Sequence, residues 1–272
     1  MTVLHDKVNK LNDFLLTLGS VAIAFSGGVD STFLAAAAYR LLGDKAIAVT
    51  ACSESSPARE KIDAQVIAQA IGIKHVILAA SEMNNADFVA NTSQRCYYCK
   101  KERFSALVAW AEQQGYGWVA EGTNADDLGD FRPGMKAIAE LPKVKSPLFD
   151  AGFTKAEIRA VSKEWGLPTW DKPSAACLVS RLSYGLPITP ERLNQVEEAE
   201  ELVRRYCSGQ IRVRHHDTLA RIEVQPEAML LLTQSEVVAD IVAGIKKLGF
   251  TYVTLDLNGY RTGSMNETLD EV

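Results

Sequence analysis

The sequence predicts an α/β protein: a doubly wound parallel sheet followed by a smaller C-terminal α+β domain. Three observations predict it. Short apolar segments alternate with helix-length segments through residue 170, the rhythm of strand-helix-strand units. The first apolar segment, Val21 to Phe25, has no polar residue, as expected of a strand covered on both faces. Beyond Pro190 the order changes to helix, two alternating strands, helix and strand.

Each element follows from its residues. Val3 to Leu18 has helical spacing in Val8, Leu11, Leu15 and Leu18, and Val21 to Phe25 is the first strand. A Ser-Gly-Gly turn leads into an alanine- and leucine-rich helix over Thr32 to Leu42. Ala46 to Thr50 is a strand, Pro57 to Ile71 a helix opening on proline, and His75 to Leu78 a third strand. Tyr98 to Gln114 makes a long helix and Trp118 to Glu121 a fourth strand. A looser stretch, Asp126 to Lys145, holds Arg132-Pro133-Gly134 and a helical piece over Met135 to Leu141; Lys145 to Leu148 adds a short strand. Thr154 and Glu157 form a capping box for a helix running to Trp165. Trp170 to Pro190, with three prolines and little periodicity, reads as a hinge. After it come a helix over Glu191 to Tyr206, edge-like strands over Gln210 to Arg214 and Ala220 to Val224, one helix over Glu227 to Leu248, and a strand over Thr251 to Leu257. The expected division is 1–170, a hinge over 171–189 carrying Cys177, and 190–272.

A chain of 272 residues is long enough for both domains to have their own cores. The net charge of -5 offers no bulk attraction to a nucleic-acid backbone, which makes a nucleic-acid partner unexpected. Charged and amide residues interrupt the N-terminal segment, so it does not read as a signal peptide, and no apolar run reaches the length needed to span a bilayer. The expected compartment is the cytosol. Five cysteines without an export signal argue for metal, catalytic or buried thiols rather than disulfides.

The loop Ser26-Gly27-Gly28-Val29-Asp30-Ser31 lies between an apolar strand and a helix. Gly27 and Gly28 allow a tight turn whose N–H groups point at one anion, the helix adds its positive end, and Ser26 and Ser31 add hydroxyl donors. Asp30 is a carboxylate among phosphate donors, which suits a magnesium ion riding on a pyrophosphate. No Gly-Lys-Ser/Thr follows, so this is not the lysine-bearing phosphate loop. It resembles the signature of the ATP pyrophosphatase superfamily. Glu121-Gly122-Thr123-Asn124-Ala125-Asp126-Asp127 is expected at the same sheet edge, Gly122 allowing close approach to the adenosine and Asp126 or Asp127 holding metal or orienting the nucleotide.

Cys96-Tyr97-Tyr98-Cys99 precedes the long helix, Lys100 and Lys101 follow, and Cys177 stands alone in the hinge. A CxxC pair admits a redox dithiol, half of a zinc site or two cluster ligands. The four histidines are not in a finger spacing. Three cysteinyl ligands, Cys96, Cys99 and Cys177, would leave one iron of a [4Fe-4S] cube open to carry an extra sulfide, with Lys100 and Arg181 favouring the anionic state.

Several segments together resemble the LarE family of ATP-dependent sulfur transferases, which help build the nickel-pincer nucleotide cofactor of lactate racemase. They are the phosphate loop, the Glu121 to Asp127 segment, Arg132-Pro133-Gly134, Lys172-Pro173-x-x-Ala176-Cys177-Leu178-x-Ser180-Arg181 and Ile211-Arg212-Val213-Arg214-His215. The resemblance runs from about Val21 to Met265. It implies an adenine nucleotide alpha hydrolase-like (PP-loop) fold, a homohexamer, and ATP with magnesium as reactants. The substrate it implies is pyridinium-3,5-biscarboxylate mononucleotide, adenylated at a carboxylate and converted to a thiocarboxylate. It also implies Arg212 and Arg214 at the substrate phosphate, and Lys100 and Glu200 in the active-site cleft; Arg181 is expected either at a phosphate or paired with a carboxylate. Some members of the family consume a cysteine in the position of Cys177, leaving dehydroalanine; others use a cysteine triplet. Cys96 and Cys99 place this sequence with the cluster type, with sacrifice of Cys177 as the alternative and the sulfide source unassigned. The rivals are a tRNA thiolation enzyme, an ammonia-using ligase and a nucleotide-binding regulator with sensing cysteines.

Overall fold

A computed structural model describes residues 3–129, 133–174 and 176–267. In chain order it contains α1 (Val3–Leu18), β1 (Val21–Ala24), α2 (Val29–Leu42), β2 (Ala46–Cys52), α3 (Ala58–Ile71) and β3 (His75–Ala79). There follow α4 (Ala86–Val89), α5 (Arg95–Gln113), β4 (Trp118–Ala120), α6 (Pro133–Ala139), β5 (Val144–Lys145), α7 (Pro147–Asp150) and α8 (Lys155–Glu164). The chain ends with α9 (Pro190–Arg204), β6 (Arg212–His216), β7 (Leu219–Glu223), α10 (Pro226–Leu232), α11 (Ser235–Lys247) and β8 (Tyr252–Leu255). It divides into two compact units, Met1–Glu82 with Cys96–Ala175, and Met83–Arg95 with Ala176–Val272.

The first unit is the parallel doubly wound sheet, in the order β3-β2-β1-β4-β5. Successive strand residues face opposite layers. Val21, Ile23, Ala46 and Ala48 pack with α1, α2 and α8, whereas Ala22, Ile47, Val49 and Val119 pack with Leu107 and Ala111 of α5 and Ile138 of α6. Burial on both faces explains why the strands lack polar alternation. The strand order reverses at β1 and β4, so the loops leaving their carboxyl ends lie together at the switch point, the ligand-binding place of such sheets.

The second unit has a three-stranded sheet in the order β6-β7-β8, antiparallel then parallel, backed by α9 and α11. Residues 83–95 belong to it because their polar groups bond there. Asn91 Nδ2 donates to the carbonyls of Ser183 and Leu186, each at 2.8 Å, and Ile188 N–H donates to the Val89 carbonyl at 2.9 Å.

Three sequence expectations change. The region expected as one helix, Glu227 to Leu248, is two helices, α10 and α11, bent by 91°. At the break Thr233 Oγ1 bonds the Leu230 carbonyl and Gln234 is extended, the competition between polar side chains and helix backbone that apolar periodicity does not register. The long helix expected from Tyr98 starts at Arg95, so the CxxC pair lies inside its first turn. The strand carrying Arg212 and Arg214 is an edge strand, yet both arginines are buried.

Candidate active site

The phosphate loop is built from backbone. Gly27 takes φ +67°, a left-handed conformation that glycine adopts without strain, and an added Cβ there would lie 3.2 Å from Ala64 Cα. Gly28 is extended at the start of α2, whose first turn has no side-chain cap. The uncapped turn therefore leaves helix N–H groups for an anion. Two serines close the loop: Ser26 Oγ and Ser31 Oγ lie 3.1 Å apart, Gly28 N–H donates to Ser26 Oγ, and Ser31 Oγ bonds the Gly28 carbonyl.

The loop after β4 packs directly on it. A Cβ on Gly122 would lie 3.1 Å from Asp30 Cβ and 3.2 Å from Ser31 N, so the close approach seen at Gly122 is to the phosphate loop. Asp126 accepts from Lys155 N–H at 2.8 Å, at the start of α8, and Asp127 accepts from Asn124 N–H at 2.9 Å. Both carboxylates thus shape the loop. Asp30 accepts from Asn124 Nδ2 and is ion-paired to Lys155 Nζ.

A cation already sits on Asp30, in the form of the Lys155 ammonium. Asp30 could therefore add one carboxylate oxygen to a magnesium ion whose other ligands come from the ATP phosphates and water. Lys172 Nζ reaches the Gly27 carbonyl at 3.2 Å and Asp63 at 3.1 Å. Sequence reasoning gave no role to Lys155 or Lys172. Lys172 heads the Lys-Pro element quoted above, a signal that was present; Lys155 is simply the first residue of a helix, with nothing local to mark it.

The start of α5 carries the CxxC pair. Cys96 is exposed, while the half-buried Cys99 thiol donates to Glu82 Oε1 at 3.5 Å. Glu82 is buried and ion-paired with Arg103, whose Nη2 also reaches Ser55 Oγ at 2.7 Å. The Lys100 side chain runs over Gly134, where a Cβ would lie 2.7 Å from Lys100 Cδ. Arg132 of the same Arg-Pro-Gly element lies outside the described residues.

The expected [4Fe-4S] cluster on Cys96, Cys99 and Cys177 is corrected here. Among the described residues no three His, Cys, Asp or Glu side chains come together where they could hold a metal ion. The physical reasons are local. Cys96 is exposed, whereas the Cys99 thiol is turned to Glu82 and bonded there, so the two do not converge with a third ligand. Arg181, expected to favour that cluster's charge, is bonded through Nε and Nη2 to Glu200 at 2.8 and 3.0 Å. The cluster falls both as a cofactor and as the carrier of sulfide.

The second unit holds Cys177 beside a buried charge network. The thiol side of Cys177 is exposed, whereas Leu178 and Val179 after it are buried and anchor a 3-10 turn over Leu178–Arg181. Arg181 donates to the carbonyls of Ala176 and Cys177. Glu200 comes from the inward side of α9 and also accepts from Val213 N–H of β6 at 3.2 Å. Arg214 donates to Glu223 at 2.7 Å, to Ser264 Oγ at 3.1 Å and to the Ser180 carbonyl at 3.1 Å.

Arg212 differs. It is 7% exposed, reaches its neighbour's Ile211 carbonyl, and lies 5.1 Å over the Tyr260 ring. Among the described residues no carboxylate pairs with it. Burial, with the Arg181 charge nearby, lowers its pKa, so this guanidinium gains from an added anion.

Among the described residues no single helix is long and apolar enough to cross a membrane. Residues 14–111 match the asparagine synthase family model. The chain is 44% identical to an uncharacterized protein of Synechocystis, over 98% of this chain and 99% of that one. It is 36% identical to the pyridinium-3,5-bisthiocarboxylic acid mononucleotide synthase of Lactiplantibacillus plantarum, over 99% of this chain and 97% of that one. It is 24% identical to a tRNA-specific 2-thiouridylase of Rickettsia peacockii, over 66% of this chain and 60% of that one.

Proposed function

The chain belongs to the family of ATP-dependent PP-loop sulfurtransferases that contains the pyridinium-3,5-bisthiocarboxylic acid mononucleotide synthase, and on that premise we propose that it converts a carboxylate of a pyridinium biscarboxylate mononucleotide to a thiocarboxylate with Cys177 as the sulfur donor. The observation that carries this reading is the content of the second unit. An exposed thiol on an anchored turn shares that unit with Arg212, a buried guanidinium with no carboxylate partner among the described residues.

In the first step a substrate carboxylate oxygen attacks the α-phosphorus of ATP and pyrophosphate leaves. The phosphate loop, with Ser26, Gly27, Gly28 and Ser31, binds the phosphates. Asp30 would hold magnesium, which when bound offsets phosphate charge. Arg212 takes the substrate's own phosphate, with Arg214 steadying the strand beneath it. The Cys177 thiolate then attacks the acyl carbon and AMP leaves, giving a thioester. Loss of the Cys177 Cα proton and cleavage of its Cβ–S bond release the thiocarboxylate and leave dehydroalanine. Adenylation is needed because a bare carboxylate oxygen is a poor leaving group, and its cost is met by ATP.

Intact mass before and after one turnover with ATP and the biscarboxylate nucleotide tests this. The expected result is loss of one hydrogen sulfide per chain, mapped to the Cys177 peptide, while Cys177→Ala releases pyrophosphate and forms the acyl adenylate without thiocarboxylate. Thiocarboxylate formed with Cys177 intact would overturn the donor role.

A further inference from the structure

The carbonyl of Cys177 is held more firmly than its turn requires. It accepts from Ser180 N–H at 3.1 Å, from Ser180 Oγ–H at 2.8 Å and from Arg181 Nη1–H at 2.8 Å. The first is the ordinary bond of a 3-10 turn. The other two are additional, and one comes from a full positive charge. A carbonyl oxygen offers two lone pairs, so three donors saturate it. Arg181 is fixed in this position: it is 4% exposed and doubly bonded to Glu200, itself 5% exposed and held by Val213 N–H. Arg181 thus has little of its fork left for a substrate phosphate, and its purpose lies at Cys177.

We propose that Ser180 and Arg181 form an oxyanion hole for Cys177 itself, stabilising the enolate that arises at its own carbonyl when its sulfur is eliminated. The inference rests on the reading of Cys177 as sulfur donor. Once the thiol is acylated, water or hydroxide from solvent removes the Cα proton, and the C–H electron pair moves onto the carbonyl oxygen. The enolate then collapses to form the Cα–Cβ double bond. The Cβ–S bond breaks, and sulfur leaves with its electron pair as the thiocarboxylate. The products are thiocarboxylate, dehydroalanine and the protonated base, with no external oxidant or reductant. A peptide Cα–H is a very weak acid, so the enolate is the high point of this path. Donors already aimed at the oxygen act where negative charge develops, and they need no reorganisation. Ser180 and Arg181 touch the reacting residue and are catalytic on this account. Glu200 acts through Arg181 and is a positioning residue.

The elimination can be driven chemically, without ATP or nucleotide. A bis-alkylating dibromide converts an exposed cysteine to a cyclic sulfonium, which leaves by the same Cα deprotonation. Peptide-resolved mass spectrometry on the full chain follows alkylation and dehydroalanine separately at Cys177 and at Cys96, also exposed, as the internal control. Cys177 is expected to eliminate faster than Cys96. Ser180→Ala and Arg181→Lys should each slow its elimination by roughly 10²-fold, the size of a lost oxyanion donor, and leave its alkylation rate unchanged. Glu200→Gln should slow the same step and spare alkylation, a split that a merely structural role would not produce. Elimination at the wild-type rate in both Ser180→Ala and Arg181→Lys, with alkylation normal, overturns the inference. If dehydroalanine forms during turnover while the chemical elimination at Cys177 is no faster than at Cys96, the donor reading survives and the oxyanion hole falls. If chemical elimination is fast and donor-dependent but turnover leaves Cys177 intact, the hole is supported and the donor reading falls.

Discussion

The two units prepare to hold anions in opposite ways. In the first, six consecutive residues supply the phosphate loop, and what matters is backbone: a left-handed Gly27, an extended Gly28 and an uncapped helix start. In the second, Arg181, Arg212 and Arg214 are buried among Glu200 and Glu223, brought from the Cys177 turn, β6, α9 and β7. Arg181 is paired with Glu200 and Arg214 with Glu223, whereas among the described residues no carboxylate pairs with Arg212. A backbone site costs little when empty, because water can solvate its N–H groups. A buried side-chain site depends on every charge having its partner.

Removing one of those partners should have the largest effect. Glu223 is fully buried and accepts from Arg214 at 2.7 Å, Arg221 at 3.1 Å and Ser264 Oγ at 2.9 Å. Glu223→Ala leaves Arg214 buried without its carboxylate and is expected to destabilise the second unit by about 3–5 kcal/mol. Hydrogen exchange over β6 and β7 should rise accordingly. Glu201→Ala, which breaks the partly exposed pair with Arg204, should cost less than about 0.5 kcal/mol. All four tryptophans, at 110, 118, 165 and 170, lie in the first unit, so exchange rather than tryptophan emission reads the second. Similar costs for the two substitutions would show that the buried network of the second unit depends on its partners no more than an exposed ion pair does.

A smaller loss is expected where backbone does the holding. Gly122→Ala sets a Cβ 3.1 Å from Asp30 Cβ and 3.2 Å from Ser31 N, neither of which is the far end of a flexible chain. The phosphate loop has to shift by a few tenths of an ångström. Overpacking of this kind costs about 1–3 kcal/mol, so affinity for a non-hydrolysable ATP analogue should fall roughly tenfold to a hundredfold. Gly117→Ala, whose Cβ would meet nothing closer than Ser20 at 3.8 Å, should bind normally. Unchanged ATP affinity in Gly122→Ala would show that the loop is softer than its packing implies.

The same contrast explains what the sequence revealed. The phosphate loop was legible because strand, glycines, serines and helix follow one another, and each has a local physical reason. The fold class was legible for the same cause: Val21 to Ala24 has no polar residue, and Thr154 with Glu157 is a capping box that the structure reproduces. The second unit was not legible in this way. Glu200 reads as one glutamate among several on α9, and nothing near it in sequence announces Arg181 as its partner. The CxxC spacing misled for a related reason: it suggested a loop, whereas Arg95 begins the helix and turns Cys99 toward Glu82, seventeen positions earlier. Spacing along the chain describes a local site well and a tertiary one poorly.

The smallest expected effect again separates the units, through pH. His215 is 2% exposed, its Nε2 lies 2.9 Å from Gln195 Oε1, and its ring packs on Phe250. Burial, and then the Arg192 charge, lower its pKa from 6.5 to about 4. Burial also lowers the neighbouring His216, whose Nδ1 lies 2.7 Å from Ser183 Oγ. The native state keeps His215 neutral until about pH 4, while the unfolded chain takes up its proton at about 6.5. Between those values the unfolded state binds more protons, so stability falls as pH falls through the window and is fully present above it. The loss at pH 5.5 should be about 1.4 kcal/mol. His75 of the first unit is lowered by burial as well, so a global melting curve would mix the two units. Exchange over β6, compared at each pH between the parent and His215→Gln, isolates the second. The substitution should flatten the acid-side loss there without touching the first unit. An unchanged slope would mean that His215 is already charged in the native state, beside the buried Arg212 and Arg214 of the same strand.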